Sequence, residues 1–273
     1  MIAKENMSRQ RRNLDTTAGA EATIRVVDVS KTFGDVGSKI HALENVNFEV
    51  QHGEFVSVLG PSGCGKSTLL RIVAGLIKAD PPGRVELLVR EQVEPSRDVG
   101  VVFQTHNMLP WLTVEANICL LAEVRGIPSA EIAARLEPML QILRLERFRR
   151  NYPHELSGGM RQRAALGQTL ILKPQVLLLD EPFGALDALT RDQLNVELLR
   201  LCQEIKKTVI LITHSIAEAV FLSDRVLVMS DRPGQIIEDL SVLLPRPREP
   251  QATKARPEFS TYVLHLNRLM GVD

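Results

Sequence analysis

Gly60-Pro61-Ser62-Gly63-Cys64-Gly65-Lys66-Ser67-Thr68 constrains the fold of this chain more than any other stretch. The apolar run Phe55-Val56-Ser57-Val58-Leu59 precedes it and the helix-like Leu69-Leu70-Arg71-Ile72-Val73-Ala74 follows, so strand, glycine loop and helix come in the order that G-x-x-x-x-G-K-[ST] requires. Glycines admit backbone conformations closed to other residues. Successive N–H groups can then turn inward on an anion, with a helix N-terminus adding a favourable dipole. In such a phosphate loop Lys66 bridges the β- and γ-phosphates of a nucleotide, and Ser67 offers its hydroxyl to Mg²⁺. A glycine-rich turn that merely matches the pattern is the competing reading, and the flanking strand and helix weigh against it.

A phosphate loop needs a carboxylate for the metal and a group to handle the attacking water. Val176-Leu177-Leu178-Leu179-Asp180-Glu181-Pro182 supplies both. Four apolar residues in a row read as a strand buried on both faces, which brings Asp180 to its carboxyl end beside the nucleotide. Asp180 then serves the metal, and Glu181, pointing elsewhere, is placed to take a proton from water. Alone, such a pair reads equally as a solvated strand end.

A second glycine loop, Leu156-Ser157-Gly158-Gly159-Met160, runs into Arg161-Gln162-Arg163 and lacks its own lysine and carboxylates. Ser157 is a good N-cap for a helix from Met160 to Leu172. A cap alone does not ask for Gly158-Gly159, which costs helix stability. With each loop present once, the chain holds two different half-sites, the arithmetic of a dimer.

With these residues assembled, the chain resembles the nucleotide-binding subunit of an ATP-binding cassette (ABC) transporter, over about residues 22 to 245. Gln104, after Val99-Gly100-Val101-Val102-Phe103, matches the Q-loop; Gly184-Ala185-Leu186-Asp187 matches the D-loop; His214, after Thr208 to Thr213, matches the switch histidine. Phe33, in Lys31-Thr32-Phe33-Gly34, matches the aromatic residue that stacks on adenine. Each has an ordinary reading too: Gln104 as a solvated amide, His214 as a satisfied strand-end histidine, Phe33 as core.

The resemblance implies ATP with Mg²⁺, the metal being met by Ser67, Gln104 and Asp180. The phosphate loop Gly60 to Thr68 then binds nucleotide, Glu181, Gln104 and His214 act on the reacting end, and Asp187 couples the subunits. It also implies a homodimer of cassettes in which Ser157, Gly158 and Gly159 bind the γ-phosphate held by the other subunit. Membrane permease subunits are the direct partners and a solute-binding protein an indirect one. The implied place is peripheral, at the cytoplasmic face of the inner membrane. Asn107 to Val114, Phe183 to Arg191 and the tail Leu244-Pro245-Arg246-Pro247-Arg248 look like the nitrate, sulfonate and taurine importer class. Leu109, Pro110 and Trp111 would offer that permease an apolar surface, unless Trp111 belongs to the core. Met160, where glutamine is usual, reads as a subclass variant. Gly167 to Ile171 and Asp80 to Pro95 depart from the usual wording without touching a phosphate ligand.

A second function class stays open, a soluble ABC ATPase acting on a macromolecular assembly. Such chains usually carry two cassettes or a long coiled-coil insertion, and here no internal repeat occurs. An inactive nucleotide-binding regulator is disfavoured by intact Lys66, Asp180, Glu181 and His214. With Lys+Arg 33 against Asp+Glu 33 no basic patch dominates, so nucleic acid is not the expected partner. Apolar runs such as Ile118-Cys119-Leu120-Leu121-Ala122 fall short of the roughly twenty residues that span a bilayer.

Met1 to Glu21 reads as a disordered lead without a signal-peptide core. Cys64, Cys119 and Cys202 show no metal-site spacing and suit a reducing compartment. Cys64, inside the phosphate loop, is expected to be alkylated with loss of ATPase activity and to be protected by ATP.

Strand-like segments at Thr23 to Val29, Val46 to Val50, Phe55 to Leu59, Arg84 to Val89 and Val99 to Phe103 form a β-rich first part. Helical spacing over Leu112 to Val124, Ala130 to Leu145 and Ser157 to Leu172 predicts an inserted helical subdomain, about residues 104 to 164. Strands return at Val176 to Leu179, Val209 to Thr213 and Arg225 to Met229, with a helix from Asp187 to Lys206. The expected fold is α/β, a cassette with a mostly parallel core sheet, ligands at its carboxyl edge, and a short extension after residue 245 ending in a helix from Phe259 to Met270.

Overall fold

A computed structural model of the chain describes residues 22–34, 38–104, 108–184, 188–204 and 206–271. Met1 to Glu21 lie outside the described residues. One sheet is antiparallel, with β1 (Ile24–Phe33) between β2 (Ile40–Val50) and β4 (Arg84–Leu87), and β5 (Arg90–Glu91) at the edge. The other contains β3 (Phe55–Leu59), β6 (Val99–Val102), β7 (Val176–Asp180), β8 (Thr208–Thr213), β9 (Arg225–Met229) and β10 (Ile236–Ser241). Its order is β10-β9-β3-β8-β7-β6, parallel throughout except for β10. The carboxyl ends of β3, β6, β7 and β8 therefore lie along one edge.

The unbroken apolar strands serve two cores at once. Val176 and Leu178 of β7, with Ile210 and Ile212 of β8, pack with Leu69, Leu70 and Ile72 of α1 (Lys66–Val73) and with the antiparallel sheet. Their neighbours Leu177, Leu179, Val209 and Leu211 face the opposite way, toward Ala164 and Leu170 of α4 (Gly158–Leu170) and Leu198 of α5 (Ala188–Glu204). Successive strand side chains point to opposite faces, so a run such as Val-Leu-Leu-Leu is what a sheet covered on both sides needs. Each fully buried leucine contributes roughly 1.5–3 kcal/mol.

Between β6 and β7 lie α2 (Val114–Val124), α3 (Ser129–Ile142), 3₁₀ turns at Glu146–Phe148 and Pro153–Glu155, and α4. The helix expected to run to Leu145 stops at Ile142, where the chain turns through Arg144 in the left-handed region (φ 53°). Similarly β4 stops at Leu87 because Leu88 and Val89 take φ of 49° and 66°. Strand β2 begins at Ile40, well before the expected Val46, because Asn45 at φ 47° breaks the alternation that marks a strand. After β8 comes α6 (Ile216–Leu222), then, beyond β10, α7 (Pro250–Lys254) and α8 (Pro257–Leu269).

The tail is fastened to α6. The Arg246 guanidinium donates to Asp224 Oδ1 at 2.6 Å, and Arg248, buried, donates to the carbonyls of Val220, Phe221 and Ser223 at 3.2, 2.9 and 2.8 Å. Those carbonyls close the last turn of α6, which sequence-local bonds leave unsatisfied. Burial pushes the Arg248 guanidinium down to about 10. Among the described residues no helix is long and apolar enough to cross a membrane.

Candidate functional site

The phosphate loop hangs between β3 and α1. Gly63 and Gly65 take φ of 78° and 113°, and a Cβ at Gly65 would lie 2.6 Å from the Ala42 carbonyl oxygen, so only glycine fits there. Helix α1 begins at Lys66 with no side-chain cap, Gly65 being its N-cap. Its first N–H groups are left for a ligand. Lys66 is buried, and its Nζ donates to the Gly60 and Pro61 carbonyls at 2.7 and 2.8 Å, so the ammonium is held inside the loop.

Beside it, Ser67 Oγ donates to Asp180 Oδ1 at 3.0 Å. Burial raises the Asp180 carboxyl above its ordinary range, the Ser67 bond opposing this and the neighbouring Glu181 charge adding to it. A hydroxyl and a carboxylate side by side are hard oxygen donors that suit Mg²⁺, which binds through one or two protein groups plus substrate phosphates. Among the described residues no cluster of three or more His, Cys, Asp or Glu could hold a metal by itself.

Glu181 forms the next cluster. Its Oε2 lies 3.2 Å from His214 Nδ1 and accepts from Gln104 Nε2 at 3.5 Å, so residues from the ends of β6, β7 and β8 converge on one carboxylate. Glu181 takes φ 45° immediately before Pro182, while its N–H donates to the Ile212 carbonyl at 3.0 Å. A non-glycine residue held there costs on the order of 1 kcal/mol, and such strain concentrates at functional positions. It turns the Glu181 side chain away from Asp180, toward His214.

The second glycine loop is built differently. Ser157 Oγ accepts from the Met160 N–H at 3.3 Å and caps α4, and Arg161 Nη1 donates to the Leu156 carbonyl at 2.6 Å. A Cβ at Gly159 would lie 3.0 Å from Thr190 Cγ2, so this glycine also lets α4 approach α5 closely. Ser157 is exposed and Gly158 half-buried. Met160 packs against the core, where a polar glutamine would gain nothing. Among the described residues no hydrogen bond or ion pair joins Ser157 to Gly159 with Gly60 to Thr68.

Trp111 is 69% exposed and is not a core residue. It rides on a turn that Asn117, wholly buried, organises: Oδ1 accepts from the Leu109 N–H at 2.8 Å, and Nδ2 donates to the Leu109, Leu112 and Thr113 carbonyls at 3.0–3.1 Å. A large aromatic ring is thus presented to solvent by a turn that buried Asn117 holds. Phe33 is 40% exposed at the end of β1, with Lys31 Nζ 5.6 Å from its ring centroid, so it is not core either. Asp187, with Ala185 and Leu186, lies outside the described residues, as does Asn107.

The packing of the loop bears on its thiol. Cys64 is buried, and burial raises its thiol above the ordinary range despite nearby Lys66. The thiolate is the reactive form, so burial opposes the alkylation expected at Cys64.

Three residues escaped sequence reading. Asn117 gave no signal beyond a polar residue in an apolar helix. Arg232 donates from Nε and Nη2 to the Gly63 carbonyl at 3.1 and 2.8 Å, and a Cβ at Gly234 would meet the Cys64 carbonyl oxygen at 2.2 Å. The Arg232-Pro233-Gly234 turn thus braces the phosphate loop, though its sequence announces only a turn. Glu218 is buried beside His214; its spacing from Ser215 reads as an ordinary capping box.

The chain matches the ABC transporter family model over residues 43–184. It is 47% identical over 228 residues to an uncharacterized ABC transporter ATP-binding protein of Methanocaldococcus jannaschii, covering 83% of this chain and 84% of that protein. It is 44% identical over 226 residues to the aliphatic sulfonates import ATP-binding protein of Bacillus cereus, covering 83% and 88%. Among solved structures it resembles a dimeric ATP-binding cassette in a post-hydrolysis state bound to ADP and Pi, with TM-score 0.70, 34% identity and coverage of 80% of this chain and 98% of that one. The paired donors Ser67 and Asp180, the Glu181 cluster, the two-sheet fold and these relatives agree: the chain belongs to the ABC transporter family.

Proposed function

We propose that this chain is the ATP-hydrolysing subunit of an import system for a small anion of the nitrate, sulfonate or taurine type, working as a homodimer on a separate membrane permease. The observation that carries this reading is the convergence of Gln104, Glu181 and His214 beside the Ser67–Asp180 pair at one edge of the parallel sheet. Residues Gly60 to Thr68 cradle the phosphates through backbone N–H groups, and Lys66 releases the loop carbonyls to meet the β- and γ-oxygens. Ser67, Asp180 and Gln104 would hold Mg²⁺, which when bound neutralises charge on the phosphate oxygens. Glu181 accepts the proton of the attacking water, and His214, its Nδ1 3.2 Å from the Glu181 carboxylate, contacts the γ-phosphate.

Ser157, Gly158 and Gly159 close on the γ-phosphate held by the partner, Asp187 couples the two sites, and Phe33 stacks on adenine. Trp111 with Leu109 and Pro110 docks the permease, which places the subunit peripherally at the cytoplasmic membrane face, with a solute-binding protein acting one step removed. Deleting the gene and measuring uptake of labelled sulfonate, taurine and nitrate tests the reading. Loss of one uptake activity, restored by the parent chain but not by Lys66→Ala, is expected. Unchanged uptake of all three, with ATPase activity intact in the purified chain, would contradict the importer assignment.

A further inference from the structure

Ser215-Ile216-Ala217-Glu218 has capping-box spacing, in which the glutamate ordinarily reaches back to the N-cap N–H at the solvent edge. Only half of that box forms here. The Glu218 N–H donates to Ser215 Oγ at 3.3 Å, but the Ser215 N–H donates to Thr213 Oγ1 at 3.0 Å, and Thr213 Oγ1 donates to Glu218 Oε2. The Glu218 carboxyl is thereby drawn inward to 7% exposure. A carboxylate taken out of water needs partners, and those of Glu218 belong to the histidine turn and to α5.

Arg191 and Asn195, one helical turn apart on α5, stand close enough to stabilise its charge, and so does His214. Oε1 itself has no partner at hydrogen-bond geometry among the described residues. Burial raises the Glu218 carboxyl, the Thr213 bond and these neighbours opposing it. Glu181, Glu218, His214 and Arg191 line one small recess. The bonds close a ring around Thr213-His214-Ser215 and leave the imidazole itself, half-exposed, to Glu181.

We propose that Glu218 is a positioning residue for ATP hydrolysis: it locks the Thr213–Ser215 turn against α5 and so holds His214 at the distance from Glu181 that turnover needs. Because it acts through His214, this rests on the role proposed for that histidine. Glu218→Gln keeps an acceptor for Thr213 Oγ1 and removes the charge facing Arg191 and His214. The readout is ATPase kinetics of the full chain, in a double-mutant cycle with His214→Ala measured by single turnover.

Glu218→Gln is expected to lower kcat about ten-fold with KM for ATP within about two-fold, and to add little in the His214→Ala background. Thr213→Val, which breaks the same ring from the strand side, is expected to show the same split and serves if Glu218→Gln does not fold. Turnover of Glu218→Gln within about two-fold of the parent, while His214→Ala is impaired, overturns the proposal and leaves the histidine's role standing. Additive losses in the cycle also overturn it, since Glu218 would then act independently of His214. Full turnover in His214→Ala would overturn the role of the histidine itself, and the proposal with it.

Discussion

The two glycine loops, Gly60 to Thr68 and Ser157 to Gly159, both stand at helix N-termini and differ in what surrounds them. The first leads into α1 without a side-chain cap, holds a buried ammonium, and faces Asp180 through Ser67. The second carries its own serine cap, and Arg161 at its turn is spent on the Leu156 carbonyl. The first brings together the buried ammonium and the hydroxyl–carboxylate pair that suit a phosphate and its metal. The second presents the exposed Ser157 hydroxyl, on the surface proposed to close over the partner's nucleotide. The contrast teaches that similar backbone motifs are separated by their polar neighbours.

The largest effect that would sharpen the contrast is at Lys66. Lys66→Ala should lower ATPase turnover by about 10²-fold or more, because a preorganised charge aimed at the phosphates is lost. Retained turnover, measured by phosphate release, would remove the first loop's special status. A second effect lies on the Trp111 turn. Trp111→Ala should abolish coupling of ATPase to uptake without lowering the melting temperature, since the ring is exposed. Asn117→Ala should do both, because it strands buried backbone groups at about 1–3 kcal/mol; equal stability loss in the two variants would contradict a presented ring.

Ser157→Ala separates cap from closing surface. As a cap alone it costs about 1 kcal/mol of stability; as part of the partner's site it also lowers turnover at saturating ATP, which a melting curve and a kinetic assay together distinguish. The smallest effect concerns the thiols. Burial pushes Cys119 up to about 11 and Cys202 up to about 12, and raises Cys64, so the thiolate fraction at neutral pH falls in each. Iodoacetamide should leave all three unmodified in the folded protein and label them after denaturation, as mass spectrometry would show; rapid native labelling of Cys64 would contradict the packing of the first loop.

What the sequence made legible is what short stretches of backbone dictate. Val176 to Leu179 had to be buried on both faces, and Gly63 and Gly65 had to supply left-handed backbone. The illegible part rests on single polar residues that meet distant backbone. Arg248 on the carbonyls of α6, Arg232 on Gly63 and Asn117 beneath Trp111 read in a local window as solvated side chains or turn formers. Glu218 reads as a cap because its spacing is that of a cap; only the fold shows Thr213 claiming its carboxylate. Strand β10, an edge strand with no fully buried residue, offers no alternation to find.

The claim that the two loops are halves of one site is tested most directly with Glu181→Gln, which should bind ATP and hydrolyse it about 10²- to 10⁴-fold more slowly. Its mass in solution, measured by light scattering with and without Mg²⁺ and ATP, should rise from that of one chain to that of two when ATP is added. A single-chain mass at saturating ATP, in a protein shown to have bound the nucleotide, would contradict the account.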